Sequence, residues 1–323
     1  MEIRWDSLTE RAWTAALSPN AGALQQSWRY GAAVQAMGGT VRRAELWHGG
    51  CFLGLAQVVV RRVGPLRLGW LSRGPVWHVA QGDTCAALHA LRRALPGGGP
   101  RLLLCVAEGR VPGTVPLVTP VCMAEVPLAP EPAIMRCRLH QKWRNRLVKA
   151  EAAGLKVSVT APSAADLDWL LSLDRAQAKT RGYRGLPPAF LAAWTACKGP
   201  PPRLFTARLK GDTVAAMLFL DHAPGATYHI GWNGPEGRAV SAHHLLLWQA
   251  MRHFARHGRA RLDLGPLDTV NAPGLARFKL GTGATARWLG PTALVPPWRR
   301  ETSCKAAQTA AMLAEPYSIT DDS

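Results

Sequence analysis

RLFTARLKGDTVAAMLFLDHAPGATYHIGWN, residues 203–233, carries the pattern on which the fold is read. Lys210-Gly211-Asp212 separates two apolar runs, so residues 203–222 read as a hairpin, and ATYHIGWN (226–233) reads as a third strand. SAHHLLLWQAMRHFARHG (241–258) follows as an amphipathic helix stopped by Gly258, and RARLDLGP (259–266) is the strand after it. Hairpin, strand, helix, strand is a mixed α/β unit.

The same order occurs earlier in the chain. RRAELWHGGCFLGLAQVVVRR (42–62) is a hairpin about His48-Gly49-Gly50, and RLGWLSRGPVW (67–77) is a strand running into a Gly-Pro stop. Cys85, Leu88, Leu91 and Leu95 recur at helical spacing, PGGGP (96–100) ends that helix, and RLLLCVAE (101–108) and PVCMAEVPL (120–128) are short strands. QQSWRYGAAVQAMGG (25–39) reads as a helix ahead of them. After the Pro-rich joint VPLAPEPA (126–133), MRCRLHQKWRNRLVKAEAAG (135–154) reads as one helix with Leu139, Trp143 and Leu147 on its apolar stripe. A strand LKVSVT and helices over AADLDWLLSLDRAQAKT and AFLAAWTAC lead back to the quoted hairpin. A duplicated α/β unit is the simplest organisation, with a first domain over 1–130, a second over 131–296, and the tail 297–323 packing back on the first.

The 323 residues carry a net charge of +18, with 31 arginines and only eight lysines. Such a balance suits a polyanionic partner, nucleic acid or anionic lipid, although arginines spread along the whole chain also suit a solvated surface. Seven cysteines without a C-x-x-C pair suggest no zinc site and fit a reducing cytoplasm, and no metal is expected. No apolar run approaches the roughly 18 residues of a membrane span, so a lipid substrate would be met at the inner membrane surface. A monomer is expected.

GLARFKLGTGATARWLG (274–290) places Phe278-Lys279 before a glycine-rich turn. A cation held on a rigid strand-turn can stabilise negative charge developing on one oxygen, and lysine offers a point charge where arginine would demand a planar fork. Phe278 would line the pocket, and Gly281 and Gly283 would let backbone approach a ligand. On ATYHIGWN, period two sets Tyr228 and His229 on opposite faces; His229 could act as a general base, and Asn233 could bind substrate. Asp263, at the end of RLDLGP, is an alternative base or amine anchor, or the cap of a turn, as is Asp268 in the next turn. Arg181, Tyr183 and Arg184 form a cationic, aromatic loop suited to phosphate. Arg138, Lys142, Arg144 and Arg146 make a basic face suited to RNA phosphates or lipid head groups.

The hairpin, strand, helix, strand order in both halves is that of tandem acyltransferase units with an N-acetyltransferase (GNAT) core. LHQKWRNRLVKAEAAGLKV opening the second unit, LARFKLGTG near its end, and QSWRYG and RGPV in the first half resemble the FemABX family of aminoacyl transferases, in its short form without a coiled-coil arm. That resemblance implies an amide-forming acyltransferase that moves an amino acid from aminoacyl-tRNA, as co-substrate, to the amine of a peptidoglycan precursor or another small amine or peptide. It implies catalytic roles for Lys279, Tyr228, His229 and Asp263, and an acceptor-phosphate contact for Arg181. The family's first-domain lysine has no counterpart, since no lysine precedes Lys142; Arg29, beside Trp28, is the candidate substitute. Acyl-CoA is the alternative donor and no tightly held cofactor is implied. RAVSAHH (238–244) lacks the glycine that a coenzyme A pyrophosphate loop needs. A non-catalytic RNA- or envelope-binding module is the alternative of a different class.

Overall fold

The computed structural model describes residues 1–17, 22–79, 82–182 and 185–298. The chain opens with β1 (Glu2–Trp5), α1 (Glu10–Leu17) and α2 (Trp28–Ala36), then β2 (Thr40–His48), β3 (Cys51–Val63), β4 (Leu66–Ser72) and β5 (Val76–Trp77). Next come α3 (Thr84–Ala94), β6 (Arg101–Val106), β7 (Val115–Val118), β8 (Cys122–Pro127), α4 (Pro132–Arg138) and α5 (Gln141–Ala152). β9 (Lys156–Thr160), α6 (Ala164–Arg181), α7 (Pro188–Ala196), β10 (Arg203–Leu209), β11 (Asp212–Asp221) and β12 (Gly225–Asn233) follow. The last elements are α8 (Pro235–Ala239), α9 (Ala242–Arg256), β13 (Arg261–Pro266), α10 (Pro273–Leu280), β14 (Thr285–Trp288) and β15 (Thr292–Val295).

Two mixed sheets run β1-β2-β3-β4-β6-β15-β7 and β9-β10-β11-β12-β13-β8-β14. The two orders match strand for strand. Each has an antiparallel run ending in a parallel pair joined across a helix, β4 to β6 through α3 and β12 to β13 through α9. The sequence expectation of two tandem GNAT-like units in an α/β fold is thereby met.

The compact units divide the chain differently from 1–130 and 131–296. One comprises Met1–Ser7, Arg42–Pro120 and the chain from Leu289; the other comprises Leu8–Val41 and Val121–Trp288. β8 therefore belongs to the second sheet, where buried Glu125 accepts from Arg261 of β13 at 2.9 Å and from Arg287 of β14 at 3.2 Å. β15 conversely inserts between β6 and β7 of the first. An alternating apolar strand such as CMAEVP fits either sheet, and its partners come from residues far away in sequence. The expected tail packing lies, beyond Trp298, outside the described residues.

In the first unit α3 starts at Asp83, whose side chain accepts from Ala86 N at 2.9 Å, and buries Cys85, Leu88 and Leu91 with Leu46, Ala56, Val58 and Leu103. In the second, the sheet is covered on both faces. Leu245, Leu246, Met251 and Phe254 of α9 join Trp143 and Leu147 of α5 over one face. Phe190, Leu191 and Trp194 of α7 join Leu170 of α6 and Ala33 of α2 over the other.

The basic segment 135–154 is two helices. α4 ends at Arg138, and α5 begins after His140, whose backbone N–H donates to the Gly281 carbonyl at 3.0 Å. Helical spacing of Leu139, Trp143 and Leu147 runs through this joint, so periodicity alone does not reveal it. The expected 25–39 helix similarly begins at Trp28, because Ser27 Oγ accepts from Tyr30 N at 3.2 Å and caps it.

Candidate active site

The two parallel pairs differ. β4 and β6 stay in register over six residues, from Arg67 beside Arg101 to Ser72 beside Val106. β12 and β13 pair over three, Gly225 to Thr227 against Arg261 to Asp263, and then part. An open wedge is thus present beside Tyr228–Asn233. At its freed edge Gln177 Nε2 of α6 donates to the Gly231 carbonyl at 3.1 Å, and next to it His243 Nε2 of α9 lies 2.8 Å from the Trp232 carbonyl.

Lys279 reaches the end of β13. It lies in the last turn of α10 rather than on the expected strand-turn, because Pro273 at the start and the 3.6-residue periodicity of GLARFKL favour a helix. Its side chain is only 5% exposed, and Nζ donates to the Pro266 carbonyl at 2.7 Å. An ammonium has three donors, so two remain beyond that bond. Burial depresses its pKa to about 8, partly opposed by the Asp263 carboxylate. Asp263 is itself buried and accepts from Gly265 N at 2.7 Å, which bends the chain at the strand's end. Lys279, Asp263 and Tyr228 are therefore gathered where the two strands part, since Tyr228 directly follows Thr227, the register partner of Asp263.

A β-bulge sets the faces of β12. Leu218 of β11 pairs with Ile230 and Phe219 with Tyr228, leaving His229 as the extra residue. Tyr228 consequently faces the α9 side, packed 5.5 Å from Phe219, and its ring lies across Gly231: a Cβ there would come within 1.9 Å of the Tyr228 hydroxyl. His229 is influenced by Asp174 of α6, yet burial lowers its pKa to about 4. It is a neutral and weak base near pH 7.

The glycine-rich turn packs on protein. A Cβ at Gly281 would sit 2.6 Å from Trp143 Cδ1, and one at Gly283, where φ is +80°, would sit 2.7 Å from the Arg138 carbonyl. Trp143 Nε1 donates to the Phe278 carbonyl at 3.0 Å, and the Phe278 ring packs 5.0 Å from His244. The expected ligand approach at Gly281 and Gly283 is corrected: these glycines admit the α4–α5 joint, and Phe278 braces Lys279 from behind.

Other residues expected to touch substrate lie against protein groups. Arg29 is 6% exposed; it donates to the carbonyls of Trp194 (2.7 Å), Cys197 (3.1 Å) and Pro200 and stacks 4.5 Å over the Trp194 ring, closing the end of α7. Trp28 packs edge-on to Trp13 at 6.4 Å. Both belong to the second unit rather than a first domain, and Arg29 is a structural clamp because carbonyls at a helix end demand donors. The buried Asn233 Oδ1 lies against Gly237, where a Cβ would be 2.3 Å away, so this side chain shapes the β12–α8 turn. Asp268 accepts from Val270 N at 3.0 Å and Asn271 N at 2.7 Å and builds a turn.

On the basic face, Arg138, Lys142 and Arg146 are exposed, whereas Arg144 donates to the Leu139 carbonyl at 3.1 Å and closes α4. Arg136, beside them, is paired with Glu151 through two bonds of 2.8 Å. Tyr183 and Arg184 lie outside the described residues, as does the side chain of Arg181. Gln177, His243, Asp174 and Pro266 were not among the sequence candidates. Gln177 and His243 meet the β12 carbonyls, Asp174 acts on His229 and Pro266 accepts from Lys279, and no local motif marks any of these meetings.

Residues 138–284 match the family described as acetyltransferase (GNAT) domain. No curated protein matches the sequence. Among solved structures, FemX is similar with a TM-score of 0.71 at 14% identity, over 90% of this chain and 97% of that one. A conserved protein of unknown function from Bacteroides thetaiotaomicron is similar with a TM-score of 0.53 at 10% identity, over 91% and 99%. The C-terminal domain assigned to a lysylphosphatidylglycerol synthetase from Agrobacterium fabrum reaches 0.50 at 15%, over 94% and 97%. The fold is thus FemABX-like.

Proposed function

We propose that the protein, an acyltransferase whose residues 138–284 match the acetyltransferase (GNAT) domain family, forms an amide by passing an aminoacyl group from aminoacyl-tRNA to an amine, such as that of a peptidoglycan precursor or another small amine or peptide. The buried ammonium of Lys279, with one bond to Pro266 at the mouth of the β12–β13 wedge, carries this reading. A buried cation with donors to spare is costly unless a ligand oxygen completes it.

In the proposed reaction a neutral acceptor amine attacks the ester carbonyl. The C–N bond forms and the carbonyl oxygen takes up negative charge, which the remaining Lys279 donors stabilise. The C–O bond to the ribose then breaks, and the proton released from nitrogen ends on the departing ribose oxygen. Asp263 keeps Lys279 charged, while the Tyr228 ring walls the wedge. The exposed Arg138, Lys142 and Arg146 offer the RNA an electrostatic track.

Two observations favour tRNA over acyl-CoA as donor. An extended donor arm bearing amides would pair with a free strand edge, and here Gln177 already engages the Gly231 carbonyl. Where a pyrophosphate would need close backbone approach at the α9 N-terminus, the chain has the buried side chain of Ser241, held at a φ of +59°. The fold, without a helix long and apolar enough to cross a membrane among the described residues, leaves open work in the cytoplasm or at the inner membrane surface.

The test is mass spectrometry of products after incubation with charged tRNA, and separately with acyl-CoAs, against a pool of cellular amines. An aminoacylated amine formed only with charged tRNA, and lost in Lys279→Met, is expected. Product formed from acyl-CoA alone overturns the donor, and RNA retention without any product overturns the enzyme.

A further inference from the structure

The parallel strands β12 and β13 have a second end. A cleft of about 720 Å³ opens there, walled by α1, the segment after α7, the β11–β12 hairpin and the α9–β13 turn. Every one of these belongs to the second unit. Its hairpin and turn residues precede Gly225 and Arg261, whereas Lys279 binds the carbonyl of Pro266 at the far end of β13. Five residues of strand at about 3.3 Å each separate the two by roughly 17 Å, so the cleft is distinct from the wedge.

Three cations line it. Arg11 and Lys198 are exposed and form no ion pair or side-chain hydrogen bond among the described residues. Arg259 is held rigid by buried Asp221, with bonds of 2.6 and 3.0 Å, and keeps guanidinium protons beyond those and its 3.1 Å bond to the His257 carbonyl. Thr9 and Thr14 add hydroxyls to the same wall, and Glu10 is the lining acid. One fixed guanidinium, two free cations and two hydroxyls in a concave space match the multiple oxygens of a phosphoryl group. An open cleft of this volume leaves room for a small molecule attached to it. Glu10, on the same helix, would disfavour a continuous polyanion and favours a ligand with one compact dianion.

We propose that this cleft binds a small phosphomonoester, with Arg11, Lys198 and Arg259 around the phosphoryl oxygens and Thr9 or Thr14 as hydroxyl donor. The site is independent of the aminoacyl-transfer reading and survives its failure.

Isothermal titration calorimetry of the full chain with inorganic phosphate and with ribose 5-phosphate tests this. Saturable one-site binding is expected, weakened at least tenfold by Arg11→Ala and by Lys198→Ala, weakened less by Thr14→Val, and unchanged in Lys279→Met. Both cations are exposed, so the variants should keep the wild-type circular dichroism; if either does not, Arg11→Gln and Lys198→Gln take its place. Absence of saturable binding by either probe, or binding indifferent to the paired Arg11 and Lys198 variants, overturns the site. So does tRNA binding that depends on these two residues while neither phosphate probe binds, which would make the cleft part of an RNA track.

Discussion

The indole N–H of Trp143 donates to the carbonyl of Phe278 at 3.0 Å, across 135 residues of chain. This bond joins the start of α5 to the last turn of α10 and so sets where Lys279, one residue on, can point. Gly281 is the position that leaves room for the same indole. Gly281→Ala should therefore cost about 1–3 kcal/mol through overpacking and reduce turnover as well, read by denaturant unfolding and by product formation. An unchanged rate would show that Lys279 is placed independently of Trp143.

Lys279 titrates from about 8 rather than 10.5 because burial disfavours its charge. An oxyanion partner must be protonated, so turnover should fall with a single apparent pKa near 8. Lys279→Met should lower turnover about a hundredfold and abolish that limb of the pH–rate profile. Between pH 8 and 10.5 the unfolded chain binds the proton that the folded chain has lost. Stability should thus rise with pH across that window, by roughly 3 kcal/mol at most, and Lys279→Met should flatten the rise in chemical denaturation.

Three histidines give the opposite edge of the pH range. Burial lowers His229, His244 and His253 to about 4 each. From pH 6.5 down to 4 the unfolded chain takes up protons that the folded chain refuses, so stability should drop as pH falls through that window. Replacing His229 by Asn should reduce the loss and leave turnover near pH 7 within about threefold. A collapse of the neutral rate would restore His229 as a base.

Arg29 was the candidate substitute for the family's first-domain lysine, and its guanidinium clamps the end of α7. Arg29→Ala should destabilise by about 3 kcal/mol, and Arg29→Lys should recover little, since a single ammonium cannot span three carbonyls or stack on Trp194. KM for the acceptor should not change in protein that remains folded.

The exposed cations on α5 should matter through charge alone. Lys142→Glu with Arg146→Glu should weaken tRNA binding about tenfold at low salt and reduce the salt dependence of log K by one to two. Filter binding across a salt series measures both, and an unaltered slope would remove this face from the RNA path.

The separation of legible from hidden features follows the range of the forces involved. Alternation along 203–233 and the amphipathic pattern of 242–256 are local and gave the right elements, and α3 formed on its expected leucines. Trp143, Phe278 and Gly281 were visible as motif residues, but their mutual packing was not, since a glycine that admits an indole looks in sequence like one that admits a ligand. The break at Leu139–His140 was masked because helical spacing continues across it.

Sequence by itself determined a repeated unit of hairpin, strand, helix and strand, and it singled out Lys279 by chemical type. Tertiary structure alone decided that β8 joins the second sheet and β15 the first, that β12 and β13 part after three pairs while β4 and β6 do not, and that Lys279 is buried at the point of parting. The physical reason is that side-chain periodicity records which face of an element is apolar, whereas strand partners and the burial of one ammonium depend on residues from other elements that only folding brings together.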